Sequence, residues 1–324
     1  MDLSKLKNGA AKIINYCLQV KKDEELVIVA DDTNFEVGQA LAEEGLACAA
    51  KVALIFYRQG EVHAEDPPNP IISAMCEADC VVLATKYSLS NSNARRKANK
   101  CNARIISIPG CNNELLISGA IEENFIAQKP LIERLGEVIT HAQKMQIETD
   151  IGTNIEVKLC GRKTVNQTGL AHKPGSWSPA PNLETAVGPC QEGVNGVMMV
   201  DGVLIPGGIP EEPVKVQIKD GKIVKIEGGR TANKFEEYLA SFNNENMYQI
   251  VEIGIGLNRK AKISGNAMAE DESQFGTLHL GIGEGETFGL KNKAPSHLDL
   301  VIRNPKIKID NEIYFENEKL LKEI

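Results

Sequence analysis

Hydrophobic positions in the first half of the chain follow two alternating patterns. Continuous apolar runs, typical of buried parallel strands, alternate with stretches whose apolar residues recur at helical spacing. The predicted strands are 25–30, 51–57, 80–85 and 104–108. The predicted helices are 4–20, 35–47, 91–100 and 123–145, with one more that ends near residue 78. This alternation predicts right-handed βαβ units and an α/β domain with a doubly wound parallel sheet.

The pattern changes near residue 150, where short strands are broken by Gly, Asn and Pro. The predicted strands 154–159, 196–203 and 214–218 are followed by an Asp-Gly turn and by a short helix over 232–243. This texture predicts a mainly antiparallel α+β domain. Because single cores tend to stop growing near about 250–300 residues, we expect two domains in the 324 residues, 1–148 and 149–324.

Composition narrows the class of protein. A hydrophobic fraction of 42% and a charged fraction of 25% are ordinary for a globular chain. The net charge of −8 argues against nucleic acid or an anionic membrane as a partner. We find neither the apolar core of a signal peptide nor an apolar run long enough to span a bilayer, and therefore expect a cytoplasmic protein. We also expect a homodimer.

Two further patterns argue against common kinds of site. The eight cysteines have no CxxC spacing, which predicts neither a disulfide framework nor a four-thiolate zinc site. The turn after the first predicted strand, Asp31–Asn34, has no glycine. Since a dinucleotide fingerprint needs glycines at that turn, we expect no nicotinamide or flavin cofactor.

Ionisable residues interrupt three apolar runs of the second domain. His297 and Asp299 lie two positions apart and project from one face of a predicted strand, while His279 and Glu252 each lie inside another. Burying such groups costs several kcal/mol unless they are paired or bind a metal. Two imidazoles and two carboxylates suit a divalent transition metal. The alternative is a salt-bridged His-Asp pair, with the other two residues satisfied by backbone groups.

Four segments in this order resemble motifs of the metal-dependent aminopeptidase T family. They are Leu183–Pro189 with its Glu before an apolar stretch and Pro, Glu252–Asn258 as Glu-x-Gly-x-Gly-x-Asn, Gly276–Gly283 as Gly-x-x-His-x-x-x-Gly, and His297–Asp299 as His-x-Asp. The resemblance covers nearly the whole chain. It implies an N-terminal α/β domain and a C-terminal domain that holds a two-metal site.

The resemblance implies a metal-dependent hydrolase, aminopeptidase-like, that cleaves a peptide or amide with metal-activated water. The implied ligands of two divalent ions, zinc, cobalt or manganese, are Glu184, Glu252, His279, His297 and Asp299. Glu286, which stands where the family has a Tyr, or Glu272 is the candidate general base. Five ligands with two extra carboxylates suit two ions better than one iron, so we expect the hydrolase.

The same superfamily includes a ring-opening 2,5-dihydroxypyridine dioxygenase with one iron held by two His and one carboxylate. In that alternative, His279, His297 and either Asp299 or Glu252 bind iron(II), and the enzyme cleaves a hydroxylated aromatic ring. Ser88 and Ser90 then become candidate contacts for the polar ring. A third alternative is a metal-binding protein without catalysis.

Overall fold

A computed structural model describes residues 3–48, 50–117, 119–204, 207–265 and 268–323 of the chain. Contacts divide the chain into two units. The first comprises Met1–Ala127, Gln167–Leu183 and Ala267–Glu270, and the second comprises Gln128–Asn166, Glu184–Asn266 and Asp271–Ile324. Each unit is therefore assembled from segments that are separated in the sequence.

Helices and strands follow one another throughout the described chain. The helices are α1 (Leu3–Ala11), α2 (Phe35–Ala47), α3 (Asn69–Glu77), α4 (Asn93–Lys100), α5 (Phe125–His141), α6 (Arg230–Ser241) and α7 (Met268–Asp271). The strands are β1 (Glu25–Asp31), β2 (Lys51–Tyr57), β3 (Cys80–Ala84), β4 (Arg104–Ser107), β5 (Lys144–Glu148), β6 (Asn154–Lys158), β7 (Val165–Gln167), β8 (Trp177–Pro179), β9 (Glu184–Val187), β10 (Val194–Val200), β11 (Val203–Leu204), β12 (Val214–Lys219), β13 (Lys222–Glu227), β14 (Ile250–Gly256), β15 (Leu278–Gly283), β16 (His297–Ile302), β17 (Lys306–Ile309), β18 (Glu312–Glu316) and β19 (Lys319–Leu320).

The first unit contains a parallel sheet in the order β2-β1-β3-β4-β8. Its central strands are buried along nearly their whole length, as their continuous apolar runs predict. Val29, Leu83 and Ile105 belong to one hydrophobic core, which also includes Met75 of α3. The predicted parallel sheet with helices is confirmed. The sequence did not predict β8, because a three-residue strand that contains Pro has no recognisable period.

Two predicted helices differ from the structure. The first changes after α1 into a π-helical segment, Lys12–Cys17, in which the Leu18 N–H donates to the Ile13 carbonyl at 3.0 Å. The widened turn keeps Ile13, Ile14 and Cys17 buried. The helix predicted over 123–145 is α5, which ends at His141, because the alternating burial that follows belongs to β5. Within the described ranges, no helix is long and apolar enough to cross a membrane.

The second unit is built on antiparallel sheets, as predicted. The larger has the order β13-β12-β10-β6-β5-β17-β18-β19, and the smaller has the order β11-β16-β15-β14-β9-β7. Every residue of β14, β15 and β16 is buried, so these strands form the interior of the smaller sheet. The candidate ligands lie in this interior.

One disulfide joins Cys160 to Cys190 in the second unit, with their Cα atoms 5.3 Å apart. The expectation of no disulfide was therefore wrong. Cys160 follows β6 and Cys190 follows β9, and the Cys190 N–H donates to the Lys158 carbonyl at 2.9 Å. This long-range contact brings the two loops within disulfide distance, and cysteine spacing along the chain carries no information about it.

Candidate metal centre

Neighbouring strands of the six-stranded sheet carry the candidate ligands. Glu252 lies on β14, His279 on β15, and His297 and Asp299 on β16, and all four side chains are buried. Glu184 is the first residue of β9, which pairs with the other edge of β14, and it is also buried. Because alternate residues of a strand share a face, the pairing of these strands brings the five side chains into one cluster.

Glycines on the same strands leave the space that the ligands occupy. Gly254 pairs with His279, and a Cβ at position 254 would lie 2.1 Å from Nε2 of His279. Gly281 pairs with Glu252, and a Cβ there would lie 2.8 Å from both Oε2 of Glu252 and Nε2 of His297. The role of these two glycines was not predicted from the sequence. Glycines that alternate with apolar residues in both strands were the available signal.

Glu252 lies between the two imidazoles and faces each with a different oxygen. His279 Nε2 is 3.4 Å from Oε1 of Glu252 and 3.5 Å from Oε2 of Glu184. His297 Nε2 is 2.9 Å from Oε2 of Glu252 and 3.4 Å from Oδ1 of Asp299. Glu184, Glu252 and His279 form one group able to hold a metal ion, and Glu252, His297 and Asp299 form another. Glu252 belongs to both.

The hydrogen bond of His297 shows which of its two ring nitrogens carries a hydrogen and which one is left to face the carboxylates. Nδ1 lies 2.8 Å from the carbonyl oxygen of Glu284. A carbonyl oxygen only accepts, so Nδ1 carries a hydrogen and donates it. The second nitrogen, Nε2, then presents a lone pair or a second proton to Glu252 and Asp299. The ring of Phe288 lies 5.6 Å from the His297 ring, centroid to centroid, with the two ring planes 30° apart.

The charges around the two imidazoles favour a cation in the cluster. Burial by itself would lower the pKa of His279, but the carboxylates of Glu184 and Glu252 outweigh burial and raise that pKa to about 9. Burial also opposes charge on His297, yet Asp299 and Glu252 hold its pKa well above the ordinary range. Protons or a metal ion can provide the positive charge that these carboxylates require.

Glu272 is a further buried carboxyl group of the same cluster. Burial raises its pKa well above the ordinary value, and the charges of Asp299, Glu184 and Glu252 raise it further. Its hydrogen bond to Asp299 helps to lower the pKa of Asp299, although burial opposes this and His297 contributes more to it. A protonated Glu272 that donates to an ionised Asp299 accounts for both directions.

Other predicted residues lie in different surroundings. The side chain of Glu286 is exposed on the 3₁₀ turn after β15, and its backbone N–H donates to Oε1 of Glu284 at 2.9 Å. Ser88 and Ser90 belong to the first unit, where both are buried. The hydroxyl of Ser90 lies 2.8 Å from that of Ser107.

A known protein family matches nearly the whole chain. A family model described as 2,5-dihydroxypyridine 5,6-dioxygenase, NicX, matches residues 10–322. The chain belongs to this family. A curated 2,5-dihydroxypyridine 5,6-dioxygenase of Pseudomonas putida is 26% identical over 186 residues. That alignment includes 54% of this chain and 53% of the relative, so the chain spans about half the length of the curated relative that it matches.

Solved structures agree with the fold of the NicX family. The structure of 2,5-dihydroxypyridine dioxygenase from Pseudomonas putida KT2440 aligns with a TM-score of 0.86 at 19% identity, over 99% of this chain and 98% of that one. Aminopeptidase T (AmpT) from Thermus thermophilus aligns with a TM-score of 0.71 at 15% identity, over 98% and 99% of the two chains. At these identities the similarity shows a shared fold and not a shared reaction.

Membership of the NicX family corrects the expected class of enzyme. The prediction of an aminopeptidase-like hydrolase or metalloprotease was wrong, because the family model and the curated relative are both named as a dioxygenase. The ring-cleaving alternative agrees with these names. The motifs misled the prediction because the two kinds of enzyme share a fold and because His and carboxylate ligands suit both chemistries.

Proposed function

We propose that this protein is a ring-cleaving dioxygenase that binds iron(II) in the buried cluster and acts on a hydroxylated, nitrogen-containing aromatic ring. The family match over residues 10–322 supports the reaction class. The orientation of His297 is the structural observation that carries the metal assignment. Its Nδ1–H is committed to a carbonyl, while Nε2 faces two carboxylates at 2.9 and 3.4 Å.

The donor set fits iron(II). The proposed ligands are His279 and His297 together with Asp299 or Glu252, which is the two-His, one-carboxylate set of ferrous oxygenases. A lone pair on Nε2 of His297 that faced ionised carboxylates at these distances would be repelled, so a cation between them is stabilising. Ferrous iron held there would supply the electron-transfer chemistry by which dioxygen reacts with an electron-rich ring.

The surrounding residues set the electrostatics of the proposed site. The raised pKa of Glu272 favours a proton on its carboxyl group, and a hydrogen bond from that group to Asp299 adds to the effect of His297 in lowering the pKa of Asp299. The candidate ligands are nearly inaccessible to solvent, so their charges interact in a low dielectric. Glu184 contributes a further carboxylate next to His279. These residues together favour an ion of charge two.

The number of ions is a separate part of the proposal. We propose one iron per chain, as the ligand set of ferrous oxygenases implies. Glu252 takes part in two groups able to hold a metal, so the cluster also has the ligands for two bridged ions. Metal analysis of protein reconstituted with iron(II) distinguishes the two. Two ions per chain in the active enzyme would refute the mononuclear form.

The proposal is tested on metal-free protein reconstituted with iron(II) under anaerobic conditions. With 2,5-dihydroxypyridine as the probe substrate, addition of dioxygen should start both loss of the ring absorbance and consumption of oxygen in equal amounts. His297→Ala should abolish both and lose bound metal. The matched control is His141→Ala, because His141 is exposed on α5, outside the cluster. Turnover without dioxygen, or no oxygen uptake by the iron-loaded protein with this probe and related hydroxypyridines, would refute the proposal.

A further inference from the structure

A buried asparagine in the loop between β15 and β16 uses both hydrogens of its side-chain amide. Nδ2 of Asn292 lies 2.6 Å from the carbonyl oxygen of Gly283 and 2.8 Å from that of Asn246. Carbonyl oxygens only accept, so the atom between them is the amide nitrogen and both of its hydrogens are used. A substitute side chain keeps both bonds only if it places two donor hydrogens in the same position.

Asn292 also holds the next peptide unit through its backbone. Its carbonyl oxygen accepts from the Gly285 N–H at 3.1 Å. The Gly285 N–H and the Glu284 carbonyl belong to one peptide plane, and that carbonyl accepts the Nδ1–H of His297 at 2.8 Å. The chain of hydrogen bonds therefore runs from His297 through this peptide to Asn292. Such chains polarise and strengthen their members.

The torsions of the residues around Glu284 do not by themselves fix the direction of its carbonyl, which depends on hydrogen bonds. Glu284 stands between Gly283 and Gly285, and glycine is the residue with the greatest backbone freedom. Gly283 has a φ of +93° and is the last residue of β15 paired with β16. From that point hydrogen bonds hold the two peptide planes around Glu284, and one of them runs from the Glu284 N–H to the Ser296 carbonyl at 2.8 Å. Asn292 makes one such bond on each side of Glu284, to Gly283 through its side chain and to Gly285 through its backbone.

We propose that Asn292 is a positioning residue for the metal centre. By fixing the two peptides around Glu284, it aims the Glu284 carbonyl at Nδ1 of His297, which keeps the ring oriented with Nε2 toward Glu252 and Asp299. This inference rests on the proposed function only in requiring that the cluster binds a divalent metal. A metal-ligating histidine depends on the partner of its other nitrogen, and loss of such a partner typically lowers metal affinity by about 10–100-fold.

Asn292→Asp tests the inference with little change in shape. The carboxylate has no donors and would face the Gly283 and Asn246 carbonyl oxygens, so the loop must move. Asn292→Ser is the second variant, because one short hydroxyl cannot reach both carbonyls and adds no charge. The matched control is Asn99→Asp in the first unit, which makes the same substitution outside this network. Nδ2 of Asn99 likewise donates to two carbonyl oxygens, those of Ala103 and Ser176, both at 3.1 Å.

The main measurement is the affinity of the metal-free protein for cobalt(II), by competition with a chelator, together with the visible spectrum of the bound ion. We expect affinity to fall about 10–100-fold in Asn292→Asp, to fall less in Asn292→Ser, and to stay within about twofold in the control. The spectrum should change in the Asn292 variants alone. Circular dichroism shows under which conditions every variant is folded, and the cobalt affinities are compared only under those conditions.

A second measurement reports His297 directly. The chain has five histidines, so a nitrogen-15 spectrum of the zinc-loaded protein can resolve each ring. In the wild type, His297 should carry its hydrogen on Nδ1, protected from solvent, and this signal should shift or exchange faster in both Asn292 variants. A purely structural role for Asn292 would lower thermal stability without altering this signal or the cobalt spectrum.

The outcomes separate this inference from the proposed function. Iron-loaded wild type that takes up no oxygen would refute the dioxygenase, while the cobalt and zinc measurements would still decide the role of Asn292. Wild-type affinity, spectrum and histidine signal in Asn292→Asp would overturn the inference. So would a wild-type protein that binds neither cobalt nor zinc, since the cluster would then not be a metal site.

Discussion

Gly281→Ala should weaken metal binding while the fold survives. A Cβ at this position would lie 2.8 Å from Cβ and Oε2 of Glu252 and 2.8 Å from Nε2 of His297. Comfortable contacts between carbon atoms are about 3.5–4.0 Å, so the two ligands must retreat by roughly 0.7 Å. Metal–ligand distances hold only to within about 0.2 Å. The methyl group is therefore incompatible with the present geometry of the centre.

The size of the effect follows from the cost of overpacking. Inserting a methyl group into a packed interior costs about 1–3 kcal/mol. If that cost falls on the ligands, metal affinity drops roughly 5–150-fold, since about 1.4 kcal/mol corresponds to tenfold. Gly281 is not among the glycines with positive φ, so alanine adds no backbone strain. Replacing glycine also restricts the unfolded chain, which raises the free energy of unfolding by about 0.4–1 kcal/mol and offsets part of the cost of the clash to the fold.

The assay is cobalt(II) affinity of Gly281→Ala, paired with urea unfolding of the metal-free protein. Gly60→Ala is the matched control, because the atoms nearest to a Cβ at position 60 belong to the flexible Glu65 side chain, the nearest of them at 2.9 Å. We expect at least about fivefold weaker binding in Gly281→Ala and none of this loss in the control. Wild-type cobalt affinity in Gly281→Ala would show that the metal does not depend on this geometry, and the reasoning would fail.

Two other predictions concern the charges of the site. In metal-free protein, the raised pKa of His279 stabilises the fold fully below its ordinary value of 6.5, and this stabilisation is lost as pH rises through about 9. The difference between the two pKa values corresponds to about 3 kcal/mol in the free energy of unfolding. Urea unfolding should show this loss of stability with rising pH in the wild type and not in His279→Gln. Equal dependence of the unfolding free energy on pH in the two proteins would contradict the prediction. Glu286→Gln should keep full metal content by elemental analysis, because the Glu286 side chain is exposed. Turnover of the same iron-loaded samples tests whether Glu286 takes part in catalysis, for which it was a candidate general base. Loss of metal would show instead that the Glu286 carboxylate contributes to the metal centre.

Local pattern was sufficient to predict much of the fold and part of the site. Continuous apolar runs identified β1, β3 and β4 as buried parallel strands, because a strand covered on both faces needs no polar alternation. The period of two placed His297 and Asp299 on one face of β16, where the structure has them. Burial of ionisable groups in apolar runs pointed to a metal, since such groups are costly to bury unpaired.

Long-range contacts decided what the pattern could not. β8 joins the parallel sheet from far along the chain, and Cys160 meets Cys190 through a hydrogen bond between distant loops. Glu286 and Glu272 were equally eligible as catalytic carboxylates by type, yet the first is exposed and the second is buried against Asp299.

The physical reason is the range over which each property is set. The face on which a side chain lies depends on its own strand and can be read from neighbours two positions away. Which residues meet depends on the register between strands, and that register places Gly254 opposite His279 and Gly281 opposite Glu252. The sequence by itself determined the kinds of ligand and the faces on which they lie. Only the tertiary structure decided their distances, the space left by the glycines, and the peptide that orients His297.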